Sequence, residues 1–106
     1  YKDDIIECEN LLTENGLAAR IMIDCSHDNS NQDYRNQGKV VEDVTSQISA
    51  GNKSIFGLML ESNLFSGKQK ILDNQDEMEY GISVTDGCID WKETHKVIQK
   101  LAKKIS

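Results

Sequence analysis

Two short apolar runs, each stopping abruptly at polar or charged residues, constrain the fold of this chain more than any other feature. Residues 18–23 are interrupted only by Arg20 and run into Asp24-Cys25-Ser26-His27-Asp28-Asn29-Ser30; residues 54–60 contain Ile55-Phe56-Gly57-Leu58-Met59-Leu60 and stop at Glu61. Runs of this length read as strands buried on both faces of a sheet. His27 and Glu61 are 34 residues apart, about what one strand, one return helix and the next parallel strand need. The spacing predicts a βαβ unit.

Helical periodicity surrounds these runs. In residues 3–12, Ile5, Cys8 and Leu12 recur at helical spacing with Ile6 and Leu11 alongside, and Asn15-Gly16 supplies a left-handed stop. Ser30 and Asp33 have the spacing of a capping box that opens a second helix, running to about Ala50 with Tyr34, Val41, Val44 and Ile48 as its buried stripe and Gly51-Asn52 as its end. Residues 62–85 have no sustained period, and a short hairpin is expected around Ser66-Gly67; a segment this long without regular structure is usually functional or mobile. Asp90 and Glu93 bracket the start of a third helix, whose predicted stripe is Trp91, Ile98, Leu101 and Ile105. Lys100, Lys103 and Lys104 near its end suit the negative pole of the helix dipole. The order is helix, strand, helix, strand, long loop, helix, an α/β arrangement.

Composition narrows the function. The chain has 106 residues, no uninterrupted apolar run long enough to span a bilayer, and no basic-then-apolar order at its start, so neither a membrane nor an exported reading is expected. With Lys and Arg at 12 against Asp and Glu at 18, a formal charge of −6 disfavours a phosphate backbone, and no nucleic acid is expected as partner. Cys8, Cys25 and Cys88 cannot all pair within one chain and sit beside apolar residues, as thiols of the cytoplasm do. The first residue is Tyr1 rather than Met, which raises the expectation of a piece of something longer.

In parallel α/β folds the loops at strand carboxyl ends converge on one face, where sites lie. His27 and Glu61 stand at two such ends, and Asp86 lies beyond the loop that leaves the second strand and can fold back over the same face. One imidazole and two carboxylates suit a divalent ion of intermediate hardness such as manganese, iron, zinc or cobalt. Their spacing is not a compact metal motif, and position alone favours the plainer reading, in which these groups cap strand ends and bind solvent. A zinc module of Cys25, His27 and Cys88 lacks any paired Cys-x-x-Cys spacing. Cys25 reads as a buried inert thiol, Cys8 and Cys88 as core, and His95 as a solvated residue of the last helix. Asp24 either orients a neighbouring group or serves local hydrogen bonding.

The wording of three segments shifts the balance. Ile21-Met22-Ile23-Asp24-Cys25-Ser26-His27-Asp28-Asn29-Ser30, Gly57-Leu58-Met59-Leu60-Glu61-Ser62-Asn63-Leu64 and Tyr80-Gly81-Ile82-Ser83-Val84-Thr85-Asp86-Gly87-Cys88-Ile89-Asp90-Trp91 closely resemble, in order and spacing, the last part of the class I 3-deoxy-D-arabino-heptulosonate 7-phosphate (DAHP) synthases. The resemblance implies the C-terminal part of a (β/α)8 TIM barrel, with residues 1–106 an incomplete segment of the synthase domain. It implies a transferase that condenses phosphoenolpyruvate with erythrose 4-phosphate, releasing phosphate, in the first step of the shikimate pathway of aromatic amino-acid biosynthesis. It also implies that His27, the glutamate of Glu61-Ser62 and the aspartate of Thr85-Asp86 are ligands of a divalent metal, with His27 the catalytic residue. The family's fourth ligand, a cysteine, belongs upstream and is absent from this chain, as are the arginines and lysines that grip the substrate phosphates. Cys25 stands where Phe is common in relatives.

Such a segment would leave strand edges and helix faces uncovered, so the chain is expected to self-associate as a homo-oligomer and, alone, to lack synthase activity. The alternative is a self-contained small α/β interaction or regulatory domain in which these residues serve only structure.

Overall fold

A computed structural model, which describes residues 1–105, contains two parallel strands and three α-helices joined by irregular segments. The first helix, α1 (Lys2–Glu14), ends where Gly16 adopts φ 72°, a left-handed conformation open to glycine. Ile5 is buried and Cys8 and Leu12 pack against the core, whereas Ile6 and Leu11 are exposed. β1 (Ile21–Asp24) and β2 (Ile55–Met59) pair in parallel, with Ile21 opposite Ile55 and Asp24 opposite Met59, and a bulge between Ile21 and Met22. The pairing continues one residue further, where the Cys25 N–H donates to the Met59 carbonyl at 2.9 Å.

Coverage on both faces, expected of these strands, is found on one. Ile21, Ile23 and Ile55 are buried with Val41, Val44 and Val97 of the helices, while Met22 and Phe56 are 57% and 65% exposed. Side chains alternate along a strand, so the apolar run fills both faces of the sheet although only one meets a helical layer.

The second helix also starts elsewhere than its sequence suggests. Ser30 closes a 3-10 turn, His27–Ser30, in which its hydroxyl donates to the His27 carbonyl. Asp33 caps a separate turn, Tyr34–Asn36, by accepting from the Arg35 N–H, and α2 (Gln37–Ser49) then follows. Asn31 and Gln32 are left-handed, with φ of 55° and 61°, and that conformation breaks a continuous helix. Val41 and Val44 are buried on α2 as expected and Ile48 packs against the core, while Tyr34 precedes the helix.

In α3 (Trp91–Ile105) the Asp90 carboxylate accepts the Glu93 N–H at 2.8 Å, the expected cap. The stripe is displaced: Thr94 and Val97 are buried and Leu101 partly so, whereas Trp91, Ile98 and Ile105 are 63%, 51% and 50% exposed. The helix packs on α2 with one flank of its apolar face and leaves the other flank open. No hairpin forms at Ser66-Gly67. Gly67 instead exchanges two backbone hydrogen bonds with Cys88, and Lys68 bridges to Ser83, so the outgoing limb of the long connection is tied to its returning limb.

The result is open. Its radius of gyration is 16.3 Å, against roughly 13 Å for a compact domain of this length. Its accessible surface is 7720 Å², against about 5,900 Å² for a compact monomer of this mass. No helix among the described residues is long and apolar enough to cross a membrane.

Candidate metal centre

The parallel pairing of β1 and β2 delivers the segments that follow them to the same edge of the sheet. His27 leaves β1 in a left-handed conformation, φ 48°, unusual for a residue with a Cβ. Such strain persists only where its surroundings hold it. Here the Asp24 carboxylate and the Ser26 hydroxyl lie 3.0 and 2.9 Å from Nδ1, and Ser26 also donates to Asp24 through both its N–H and its hydroxyl. With Nδ1 held in this way, Nε2 lies 3.0 Å from Glu61 Oε1 and 3.2 Å from Asp86 Oδ2.

Glu61 and Asp86 thus meet His27 at one point, with one ligand atom from each lying within 4.8 Å of the others. Glu61 is fixed through its main chain: its N–H donates to Gln37 Oε1 at 2.8 Å, and its carbonyl accepts from Gln37 Nε2 and from the Ile89 N–H. Asp86 arrives on the returning limb. The neighbouring Gly87 packs so close to Tyr34 that a Cβ there would fall 2.5 Å from its ring.

Electrostatics match this geometry. The Asp24 hydrogen bond first, and the Asp86 hydrogen bond next, push the His27 imidazole up to about 9. Burial raises the Asp24 carboxyl, but the hydrogen bonds from Ser26 and His27 outweigh it and hold the group below its ordinary value. The surrounding carboxylates thus favour the protonated ring, and an ion held here would take the place of the proton on Nε2. The donor set also fits an ion: one imidazole nitrogen and two carboxylate oxygens bound at about 2.0–2.2 Å would stand roughly 3.0–3.5 Å apart, and two of the three separations are 3.0 and 3.2 Å.

Cys25 lies outside this group. It is fully buried, its thiol faces the Ile23 carbonyl, and burial together with the nearby Asp24 charge pushes it up to about 11, the state of an inert core thiol. Cys88 is buried and raised by burial, and Cys8 is half-buried, so no cysteine joins His27 among the described residues. His95 is exposed on α3. Asp24, left between two roles by its sequence, directly orients His27.

A cavity of about 500 Å³ opens over the cluster, lined among others by Ser26, Tyr34, Arg35, Lys68 and Gly87. Arg35 is occupied by Asp33 through two hydrogen bonds of 3.0 and 2.9 Å. The sequence singles out neither Lys68 nor Gln37 as a site residue and offers Tyr34 only as part of a buried helix stripe. Gln37 carried the one usable signal, a polar residue at the head of an amphipathic helix, four positions before Val41 on the buried stripe.

Comparison with known proteins places the chain. The family model described as the DAHP synthetase I family matches residues 1–99. The chain belongs to the DAHP synthetase I family. It is 47% identical over 103 residues to the Tyr-sensitive phospho-2-dehydro-3-deoxyheptonate aldolase of Salmonella typhimurium, a match covering 97% of this chain and 29% of that protein. It is 40% identical over 110 residues to the phenylalanine-inhibited enzyme of Saccharomyces cerevisiae, covering 98% of this chain and 30% of the relative. The solved structure of phospho-2-dehydro-3-deoxyheptonate aldolase from Francisella tularensis superposes with a TM-score of 0.89 at 40% identity, over 98% of this chain and 30% of that one. This DAHP synthetase I family chain therefore spans about three-tenths of the length of the relatives it matches.

Proposed function

We propose that the chain is the C-terminal part of a (β/α)8 synthase barrel, residues 1–106 forming an incomplete segment of that domain, and that His27, Glu61 and Asp86 supply three of the four ligands of its divalent metal. The observation that carries this reading is the convergence of the three groups at the carboxyl ends of two parallel strands. The parent enzyme condenses phosphoenolpyruvate with erythrose 4-phosphate in the cytoplasm, at the entry to aromatic amino-acid biosynthesis. Manganese, iron, zinc and cobalt all suit the donor set, with a cysteine from outside this chain as the fourth ligand. When bound, the ion would polarise the aldehyde oxygen of the sugar phosphate as a Lewis acid.

This chain's own residues do the rest. Asp24 and Ser26 hold the His27 ring in one orientation with Nε2 presented to the site. His27 is the catalytic residue in that it meets the reacting centre through its Nε2. Gly87 lets Tyr34 close one wall of the cavity in which the substrates would be aligned. Two phosphorylated substrates need a cationic pocket, and in this cavity the chain offers only Lys68 beside an Arg35 already paired with Asp33, so most of that charge comes from the remainder of the barrel. The large accessible surface and the uncovered sheet face favour a segment over a self-contained regulatory domain.

The test is titration of the purified chain with cobalt(II), followed by its visible absorption. One equivalent bound supports the reading, and indifference to cobalt supports the purely structural alternative. The exposed Met22, Phe56, Trp91 and Ile98 also lead us to expect homo-oligomers of the isolated chain. Light scattering should show mass rising with concentration, and a well-dispersed monomer at high concentration would contradict it.

A further inference from the structure

The three candidate ligands come from separate segments, and none lies within the two-stranded ladder itself: β1 ends at Asp24, β2 at Met59, and Asp86 belongs to an irregular limb. Something else must set their mutual positions. Asn36, which precedes α2, and Gln37, its first residue, bond to the segments of His27 and Glu61, and Glu61 bonds onward to the limb that carries Asp86. Asn36 donates through Nδ2 to the Ser30 carbonyl at 3.1 Å, at the end of the turn that His27 begins, and Ser30 in turn donates to the His27 carbonyl. Gln37 clamps Glu61 from both sides, accepting from its N–H and donating to its carbonyl. That carbonyl also accepts from the Ile89 N–H at 3.1 Å, three residues after Asp86.

Gln37 has no exposed surface at all. Burying a primary amide away from water is costly unless its hydrogen bonds are made. Here the amide serves one residue, Glu61, through its oxygen and its nitrogen, with α2 as a rigid base anchored by Val41 and Val44 in the core. An apolar side chain of similar size would fill the same space but leave the Glu61 N–H without a partner.

We propose that Gln37 is the positioning residue of the metal centre: its buried amide fixes the main chain of Glu61 and, through the shared carbonyl, the register of the Asp86 limb against it. This rests on the reading of His27, Glu61 and Asp86 as metal ligands. Gln37 itself reaches no substrate and no ion.

The experiment compares cobalt(II) affinity and the visible absorption band of bound cobalt(II) in the whole chain, in Gln37→Met and in Val44→Ala. Val44 is buried on the same helix but hydrogen-bonds nothing in the site, so its truncation loosens α2 without touching Glu61. Gln37→Met weakens cobalt binding by about 10- to 100-fold, the range for partners that orient metal ligands, and alters the absorption band. Val44→Ala, chosen to melt at a similar temperature, keeps the parent affinity and band. Unchanged binding in Gln37→Met overturns the role of Gln37 and leaves the metal centre standing. An equal loss in Val44→Ala overturns it too, because general loosening then suffices. Failure of the unaltered chain to bind cobalt(II) overturns the metal centre, and this inference with it.

Discussion

Replacing His27 with alanine should lower the affinity of the chain for cobalt(II) by more than about 100-fold, beyond the loss expected from disturbing a supporting hydrogen bond. His27 Nε2 is the atom on which Glu61 and Asp86 converge, at 3.0 and 3.2 Å, so its removal leaves two carboxylates and no nitrogen donor. The backbone complicates a simple alanine variant. His27 sits at φ 48°, and alanine there keeps the strain of a left-handed residue, worth about 1–2 kcal/mol, without the hydrogen bonds that hold it. His27→Gly removes the same imidazole and relieves that strain. Both variants should lose cobalt binding, and His27→Ala should lower the melting temperature more than His27→Gly does. Retained binding in His27→Gly would count against the imidazole as a ligand.

Grafting has the larger functional effect. The chain alone should show no turnover of phosphoenolpyruvate and erythrose 4-phosphate. Exchanged into the Salmonella typhimurium relative in place of the matching 29% of that protein, it should give a working synthase. The isolated chain lacks parts that the proposed reaction needs: it offers three candidate donors where the proposal calls for four, and the cavity's Arg35 is engaged by Asp33. Coupling the release of phosphate to a colorimetric assay reads the difference directly. Turnover by the isolated chain, or a folded but inactive graft that still binds cobalt(II), would break the link between this segment and the synthase reaction. His27→Gly within the graft should return the rate to background.

The parts of this molecule legible in its sequence are those set by local periodicity. The apolar runs at residues 18–23 and 54–60 contain β1 and β2, and the 34 residues from His27 to Glu61 foretold their parallel pairing. The rule that strand carboxyl ends share a face brought His27 and Glu61 together, whereas for Asp86, on an irregular limb, it only allowed a fold back over that face. What failed was what depends on neighbours. Burial on both faces of β1 and β2 fails at Met22 and Phe56, because an apolar residue records where a side chain belongs in a complete packing and not what covers it here. The stripe on α3 was misplaced for the same reason, since Trp91, Ile98 and Ile105 share a helical face that α2 does not reach. The capping box at Ser30 and Asp33 fails because two left-handed residues, Asn31 and Gln32, lie between them, and neither side chain signals that conformation uniquely. Gln37 went unseen because its role is a contact across 24 residues, visible only once α2 and the end of β2 are brought together.

The centre itself is tested most directly by crystals of the chain grown with manganese(II) and measured at an energy where the ion scatters anomalously. The expected result is a peak about 2.0–2.2 Å from Nε2 of His27 and from one carboxylate oxygen each of Glu61 and Asp86. A peak elsewhere, or none in crystals where these three side chains are well ordered, would contradict it.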